Sequence, residues 1–276
     1  EKHPLNPVLP LGDSHEWDST HCAPWSSPSV IYDDEDKLFK AWYAGSDIAP
    51  SRWWRTGYAV SEDGLRWEKP ELDVHEENGR KTNVVIGGED GIEQTHSCGV
   101  IEDRFPPDPS RRYRAIFSHY PPFEGQIRAA HSADGIHWQL ETESVSFGNL
   151  GRTMGDAAIL DYDPYSRNFI TTCRPSRMCA PCLNPRNPMG PTNPGPRYPH
   201  DFAKQNRRRI FQAESPDMLH WTWQTTKLQP AFTRHGMFSG TGFITKEGKP
   251  AAIYAGLSDP RNTFVAVAND NRLDSW

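Results

Sequence analysis

The sequence contains no apolar run approaching the roughly 18–20 residues that span a bilayer. Its first residues, Glu1-Lys2-His3-Pro4, lack the charged-then-apolar pattern of a secretory signal. The expectation is an intracellular chain, or one whose signal has been removed, with no membrane partner. Blocks of one charge sign are also missing. The 30 Lys and Arg stand against 36 Asp and Glu, a formal balance of −6, and the one basic run is Arg207-Arg208-Arg209. That excludes the broad basic footprint of a nucleic-acid binder. No window of 12 or more residues free of Pro and Gly carries apolar positions at i, i+3, i+4 and i+7, which argues against helices. Cysteine is sparse, with five residues: Cys22 and Cys98 stand alone while Cys173, Cys179 and Cys182 cluster. An odd count leaves at least one thiol unpaired within the chain. The single Cys179-x-x-Cys182 pair fits a disulfide pinning its segment at least as well as a zinc site, and no metal or cofactor is expected.

What the chain does have is aromatic mass and turns: 10 Trp, 9 Tyr and 12 Phe, with 25 Pro and 21 Gly spread along 276 residues. Short strands and many turns follow from that composition. A repeat organises them. Gly57-Tyr58-Ala59-Val60-Ser61-Glu62-Asp63-Gly64-Leu65-Arg66-Trp67 recurs as Arg128-Ala129-Ala130-His131-Ser132-Ala133-Asp134-Gly135-Ile136-His137-Trp138. A third copy runs from Phe211 to Trp221 and a worn fourth from Val265 to Trp276. The closing tryptophans are 71, 83 and 55 residues apart, matching a propeller blade of about 40–50 residues plus insertions. Each copy reads as a strand running into an Asp-Gly or Asp-x turn with left-handed backbone, then a returning strand carrying one packing Trp.

A second pair of apolar runs precedes each copy. These are Ser29–Tyr32 with Leu38–Tyr43, Gly99–Ile101 with Tyr113–Phe117, Ala158–Leu160 with Asn168–Thr171, and Gly242–Ile244 with Ala251–Tyr254. Two hairpins per unit make a four-stranded antiparallel blade, so the fold class is all-β, a single propeller domain over residues 1–276. The Pro-, Asn- and Arg-dense stretch at about 174–209 is an insertion within the third unit.

At the level of motifs the chain resembles the five-bladed propeller glycoside hydrolases, the invertase, levansucrase and arabinanase superfamily. Gly236-Met237-Phe238-Ser239-Gly240-Thr241-Gly242 is similar to the Phe-Ser-Gly-Ser-Ala segment of family 32 fructosidases. Val265–Trp276 is similar to the "Ala-x-Ser-x-Asp…Trp" hairpin that follows it. Asn6-Pro7-Val8-Leu9 and Trp67-Glu68-Lys69-Pro70 match inter-blade connections there and in the related family 130 phosphorylases. The resemblance implies five blades, of which four units are visible; the fifth lies beyond Trp276 or is replaced by a divergent closure through residues 1–17. There are departures. Ser27, in Trp25-Ser26-Ser27-Pro28, stands where family 32 has its Asn-Asp-Pro aspartate, and His96-Ser97-Cys98 falls where it has Arg-Asp-Pro. Asp156, in Met154-Gly155-Asp156-Ala157, corresponds to the third-blade acid.

In a propeller the innermost strands face an axial funnel, so polar residues at the start of each unit's first strand converge there. Glycosidic cleavage commonly takes two carboxyl groups, about 5–5.5 Å apart for retention and 6.5–9.5 Å for inversion. The expected carboxyl pair is Asp18 and Asp156 with Glu93 assisting, and Glu214 is an outside candidate; Asp18 and Glu93 also fit turn or solvated loop acids. His21, His96 and His235 occupy comparable places in three units and suit sugar hydroxyls, metal ligation or ordinary hydrogen bonding. Trp25 and Ser239 complete the funnel set, Trp25, Trp53 and Trp54 suit stacking on sugar rings, and Arg174 and Arg209 flank from the insertion. Asp63, Asp134 and Asp217 read as turn residues, and Asp33, Asp34 and Asp36 as an exposed hairpin tip. The function implied is glycoside hydrolysis of a furanoside or related glycan, with carbohydrate as the partner. The alternatives are a family 130-like phosphorylase and a carbohydrate-binding propeller without catalysis. A protein-interaction propeller has less support, since it does not need clustered acids and histidines.

Overall fold

The computed structural model describes residues 3–23, 30–47, 54–88, 95–119, 126–143, 145–146, 158–163, 166–173, 211–223, 237–256 and 262–269. The apolar runs read from sequence are strands. In the first sheet β1 (His21–Ala23) and β2 (Val30–Asp33) both pair with β3 (Leu38–Ser46), which pairs with β4 (Arg55–Ser61). A separate hairpin of β5 (Glu76–Glu77) and β6 (Arg80–Lys81) precedes β7 (Val84–Ile86), which completes the sheet beside β4. The second sheet follows chain order from its edge: β8 (Thr95–Glu102), β9 (Tyr113–His119), β10 (Gln126–Ser132) and β11 (Gln139–Leu140). So does the third, with β12 (Ala158–Asp163), β13 (Asn168–Cys173), β14 (Phe211–Ser215) and β15 (Thr222–Trp223). The fourth comprises β16 (Met237–Ile244), β17 (Pro250–Gly256) and β18 (Asn262–Val267). The first strand of every sheet lies at an edge, and the pairings of the first, second and fourth sheets, with β14–β15 of the third, are antiparallel. Among the described residues the only helix is a 3-10 turn, Pro109–Arg111. The insertion at 174–209 lies outside the described residues.

The chain divides into two compact units: Glu1–Ser146, Arg152–Thr171 and Ser215–His220 form one, and Phe147–Gly151, Thr172–Glu214 and Trp221–Trp276 the other. In the first, β3 is covered on both faces. Trp42 and Tyr58 face the second sheet and pack with Val100, Tyr113, Ala115 and Phe117 into one cluster. The Trp42 ring lies 5.6 Å from both Tyr58 and Tyr113 and meets Trp138 nearly edge-on at 6.5 Å. The alternate residues Ala41 and Tyr43, with Ala59 and Val84, pack under Trp17 of the N-terminal segment, with Trp67 at the margin. In the second unit Tyr254 anchors one side of the fourth sheet with Ala252, Phe264 and Ala266, while Ile253, Val265 and Val267 are exposed.

The repeated turn has one geometry in three copies. Asp134 Oδ1 accepts the backbone N–H of Ile136 and His137, both at 2.8 Å, and the Gly135 N–H donates to Ser132 Oγ at 2.9 Å. Asp63 with Ser61, and Asp217 with Ser215, make the same bonds. The residue after each aspartate is left-handed: Gly64 at φ 72°, Gly135 at φ 82°, Met218 at φ 66°. The closing Trp returns to this turn, as Trp67 Nε1 donates to the Gly64 carbonyl and Trp138 Nε1 to that of Gly135. Gly135 also joins two sheets, because Trp42 Nε1 donates to the same carbonyl at 2.8 Å.

A Cβ on Gly135 would stand 2.6 Å from Trp42 Cζ2, whereas one on Gly64 meets nothing nearer than Phe39 at 3.7 Å. Gly135→Ala is therefore expected to cost about 2–4 kcal/mol, left-handed strain plus overpacking, and Gly64→Ala about 1–2 kcal/mol from strain alone. Chemical denaturation of both variants checks this, and equal losses would mean that the Trp42 contact is not tight.

The hairpin tip is the fold's main correction. Asp34 is exposed, but Asp33 is fully buried, because residues of the second sheet close over it. Tyr113 OH donates to Asp33 Oδ2 at 2.6 Å and Arg112 Nη2 to Oδ1 at 2.9 Å.

Candidate functional site

The edge strands place two predicted histidines in matching positions. His21 opens β1 opposite Ser46, and His96 is the second residue of β8, opposite Ser118. The start of β8 is tied to the start of β4: the Trp54 carbonyl accepts the Thr95 N–H at 2.7 Å, and the hydroxyls of Thr56 and Thr95 bond at 2.8 Å. The buried Trp54 ring meets the His21 imidazole edge-on at 5.1 Å. This leaves His21 Nδ1 buried with no hydrogen-bond partner. A buried ring nitrogen with its hydrogen-bonding capacity unused is a docking point for a hydroxyl or a water. Of this group Trp54 was legible as an aromatic near the site. The two threonines carried no sequence signal, since their role arises from the meeting of two sheets.

Glu93 precedes β8 by two residues, Asp156 precedes β12 by two, and His235 precedes β16 by two; all three lie outside the described residues, as do Trp25, Trp53, Arg174 and Arg209. Ser239 is the third residue of β16, and Glu214 lies on β14 opposite Thr222.

Asp18 is located differently. Trp17 and Asp18 fold back over the face of the first sheet, where Gly45 leaves room: a Cβ there would stand 2.4 Å from the Trp17 ring. Asp18 is buried, and its Oδ2 accepts Lys69 Nζ at 2.6 Å and Tyr43 OH at 2.8 Å. Lys69 Nζ also donates to the Pro10 carbonyl at 2.8 Å, so one ammonium fastens two points of the N-terminal segment. Asn83 Nδ2 donates to Tyr43 OH and the Tyr58 carbonyl, and its Oδ1 accepts the Trp17 indole N–H, each at 2.7 Å. Burial, reinforced by the Asp18 charge, pushes the Tyr43 phenol far above its usual range, so it stays a donor.

A pocket of about 450 Å³ opens beside this network, lined by Glu16, Lys69, Glu71, Arg80 and Asn83 among others, and neither His21 nor Trp54 borders it. Asp18 also lines this pocket, its carboxylate engaged by Lys69 and Tyr43. Asp18→Asn is expected to cost about 2–3 kcal/mol by leaving a partly buried ammonium short of its counterion, and adding Lys69→Met should recover part of that loss. A double-mutant cycle in denaturant reads the coupling, and additive losses would show that the pair does not act as a unit.

Burial disfavours the thiolate at Cys22 and Cys98. Burial pushes the Cys22 thiol up to about 11, with Lys69 pulling it down less strongly, and burial pushes Cys98 up to about 12. Both are free thiols. Among the described residues no group of three His, Cys, Asp or Glu has the arrangement of a metal site.

At the level of sequence no family model matches the chain, and no curated protein matches it. At the level of structure the likenesses are broad. A fructofuranosidase from Schwanniomyces occidentalis, complexed with fructosylnystose, superposes over 91% of this chain with TM-score 0.55 at 13% identity. The Bombyx mori GH32 β-fructofuranosidase BmSUC1 superposes over 92% with TM-score 0.53 at 13% identity. An N-acetylgalactosamine deacetylase from F. plautii, in complex with blood group B trisaccharide, superposes over 95% with TM-score 0.54 at 12% identity. The chain spans 44% of the first protein's length, 47% of the second's and 74% of the third's. The fold is therefore one that fructofuranosidases and other carbohydrate-active proteins of propeller type share.

Proposed function

We propose that this chain is a glycan-acting hydrolase of the five-bladed propeller type, its sheets being consecutive blades. The observation that carries the proposal is the matched placement of His21 and His96 at the starts of edge strands β1 and β8, tied through Trp54 and Thr95, with His21 Nδ1 left unpartnered. Glu93, Asp156 and His235 stand two residues before the first strands of the second, third and fourth sheets. In this reading Asp156 and Glu93 are the carboxyl pair. One protonates the departing glycosidic oxygen while the other acts as nucleophile or activates water. His21, His96, His235 and Ser239 bind sugar hydroxyls, Trp25 stacks on a ring, and Arg174 and Arg209 flank the substrate. A furanoside is the favoured substrate, supported by the fructosylnystose bound to a structural neighbour.

Asp18 is given a holding role, because its carboxylate is already taken by Lys69 and Tyr43. A deacetylase shares the fold, so the fold does not select the reaction. Ser27 and Ser97, in the places of two expected carboxylates, favour a second reading, a propeller that binds glycan without cleaving it.

The test is incubation of the full chain with fructo- and arabino-oligosaccharides, with and without inorganic phosphate. Reducing sugar released equally in both supports the hydrolase. Release only with phosphate replaces it with a phosphorylase, and retention of glycan without product replaces it with the binding reading. No binding and no product with any glycan overturns the proposal.

A further inference from the structure

The repeated turn has a second regularity that the glycan site does not use. Three residues beyond each turn aspartate stands a basic group: Arg66, His137 and His220. Arg66 Nη1 bonds its own aspartate, Asp63, at 2.7 Å. The histidines reach further. His137 Nδ1 lies 2.7 Å from Asp134 of its turn, and its Nε2 lies 3.4 Å from Asp73, in the loop between β4 and β5. His220 Nδ1 lies 2.8 Å from Asp217 of its turn, and its Nε2 lies 3.0 Å from Glu143, in the connection following β11. Each imidazole is thus held between a carboxylate of its own turn and one supplied by the preceding sheet.

We propose that His137 and His220 are proton-dependent staples, fastening successive sheets through Nε2 while doubly protonated and loosening as the ring loses a proton. The reason is stoichiometric. A carboxylate only accepts, and a neutral imidazole has a single N–H, so deprotonation leaves a ring lone pair facing a carboxylate oxygen. The titratable groups facing His137 are Asp134 and Asp73; those facing His220 are Asp217 and Glu143. The hydrogen bonds to Asp134 and Asp217, followed by the neighbouring charges, raise both imidazoles above the ordinary histidine range. A folded-state value raised above the unfolded one contributes fully below the ordinary histidine range and is lost as pH rises through the raised value. Both rings are more than half exposed, so each staple is weak and salt-sensitive. Its effect is local, on where the seam opens. The second seam carries a built-in reporter, the Ser146 N–H, which donates to the Leu219 carbonyl at 2.7 Å beside His220.

The experiment is an NMR titration of the imidazole C–H resonances in the full chain, with Ser146 amide exchange corrected for its intrinsic pH dependence. Both rings are expected to titrate above the ordinary value of about 6.5. Asp73→Asn should lower the His137 midpoint and leave His220 alone, and Glu143→Gln should do the reverse. Ser146 protection should fall across the His220 titration and stay constant in His220→Arg, which keeps its charge as Arg66 does. Ordinary midpoints, no response to either carboxylate change, or Ser146 protection that ignores the His220 titration would each overturn the proposal.

Discussion

Asp33→Ala is expected to cost about 3–5 kcal/mol, the toll of leaving buried cations without their counterion. The melting temperature should fall by roughly 10 °C. Asp33 Oδ2 accepts Lys40 Nζ at 2.7 Å and Tyr113 OH at 2.6 Å. Its Oδ1 accepts Arg112 Nη2 at 2.9 Å and the backbone N–H groups of Glu35 and Asp36 at 2.9 and 3.2 Å. Removing that carboxylate takes away an acceptor shared by two hairpins of one sheet pair. Lys40 keeps Asp36 at 2.7 Å, and Arg112 keeps Glu102 and Glu35 at 2.9 Å, so the loss falls short of full exposure of both charges. Thermal and chemical unfolding of the variant check the magnitude. A loss below about 1 kcal/mol would place this network with ordinary surface ion pairs.

The same carboxylate sets the acid limit of stability. Burial alone would raise Asp33, but the hydrogen bonds from Lys40, Tyr113 and the two backbone amides outweigh it and hold the carboxyl well below the usual range. Hydrogen bonds outweigh burial in the same way at Asp134 and Asp217, each lowered to about 2. A depressed folded-state value contributes stability above the unfolded value, near 3.9 for aspartate, and that contribution is lost as pH falls through the folded one. Wild-type stability should therefore drop between about pH 4 and pH 2, and Asp33→Ala should show a shallower drop.

What the sequence made legible, and what it hid, divides by range. The repeat was readable because its geometry is local: one aspartate oxygen, a left-handed residue and a returning Trp lie within a few positions. Met218 shows how strong that local pattern is. It takes φ 66° where the other copies have glycine, held by the Ser215 and Asp217 bonds and by full burial of its side chain. Asp33 was hidden because its neighbours in sequence are exposed acids, while its burial comes from Arg112 and Tyr113, some 80 positions away. The Asp18–Lys69 pair, 51 positions apart, was hidden for the same reason. The β5–β6 hairpin was a different kind of miss. Asn78 and Gly79, at φ 52° and 75°, are a local signal for a two-residue turn, but Glu76-Glu77 and Arg80-Lys81 flank them with charge instead of alternating apolar residues.

The proposed chemistry rests on Asp156, and its replacement gives the largest expected change in activity. Asp156→Asn keeps the shape of the side chain and removes its charge and its capacity to exchange a proton, so turnover should fall by roughly 10²–10⁴-fold. Glu93→Gln should fall comparably, since cleavage needs both members of the pair. Asp18→Asn should show the opposite pattern, lower stability with turnover retained in the folded fraction, because its carboxylate is engaged by Lys69 and Tyr43 on the face of the first sheet. Measuring kcat and the unfolding midpoint on the three variants therefore separates the two kinds of acid. Full activity in a folded Asp156→Asn protein removes Asp156 from the reaction. Loss of turnover in Asp18→Asn with an unchanged midpoint returns the first-unit acid to the catalytic pair, and requires that Lys69 release it when glycan binds.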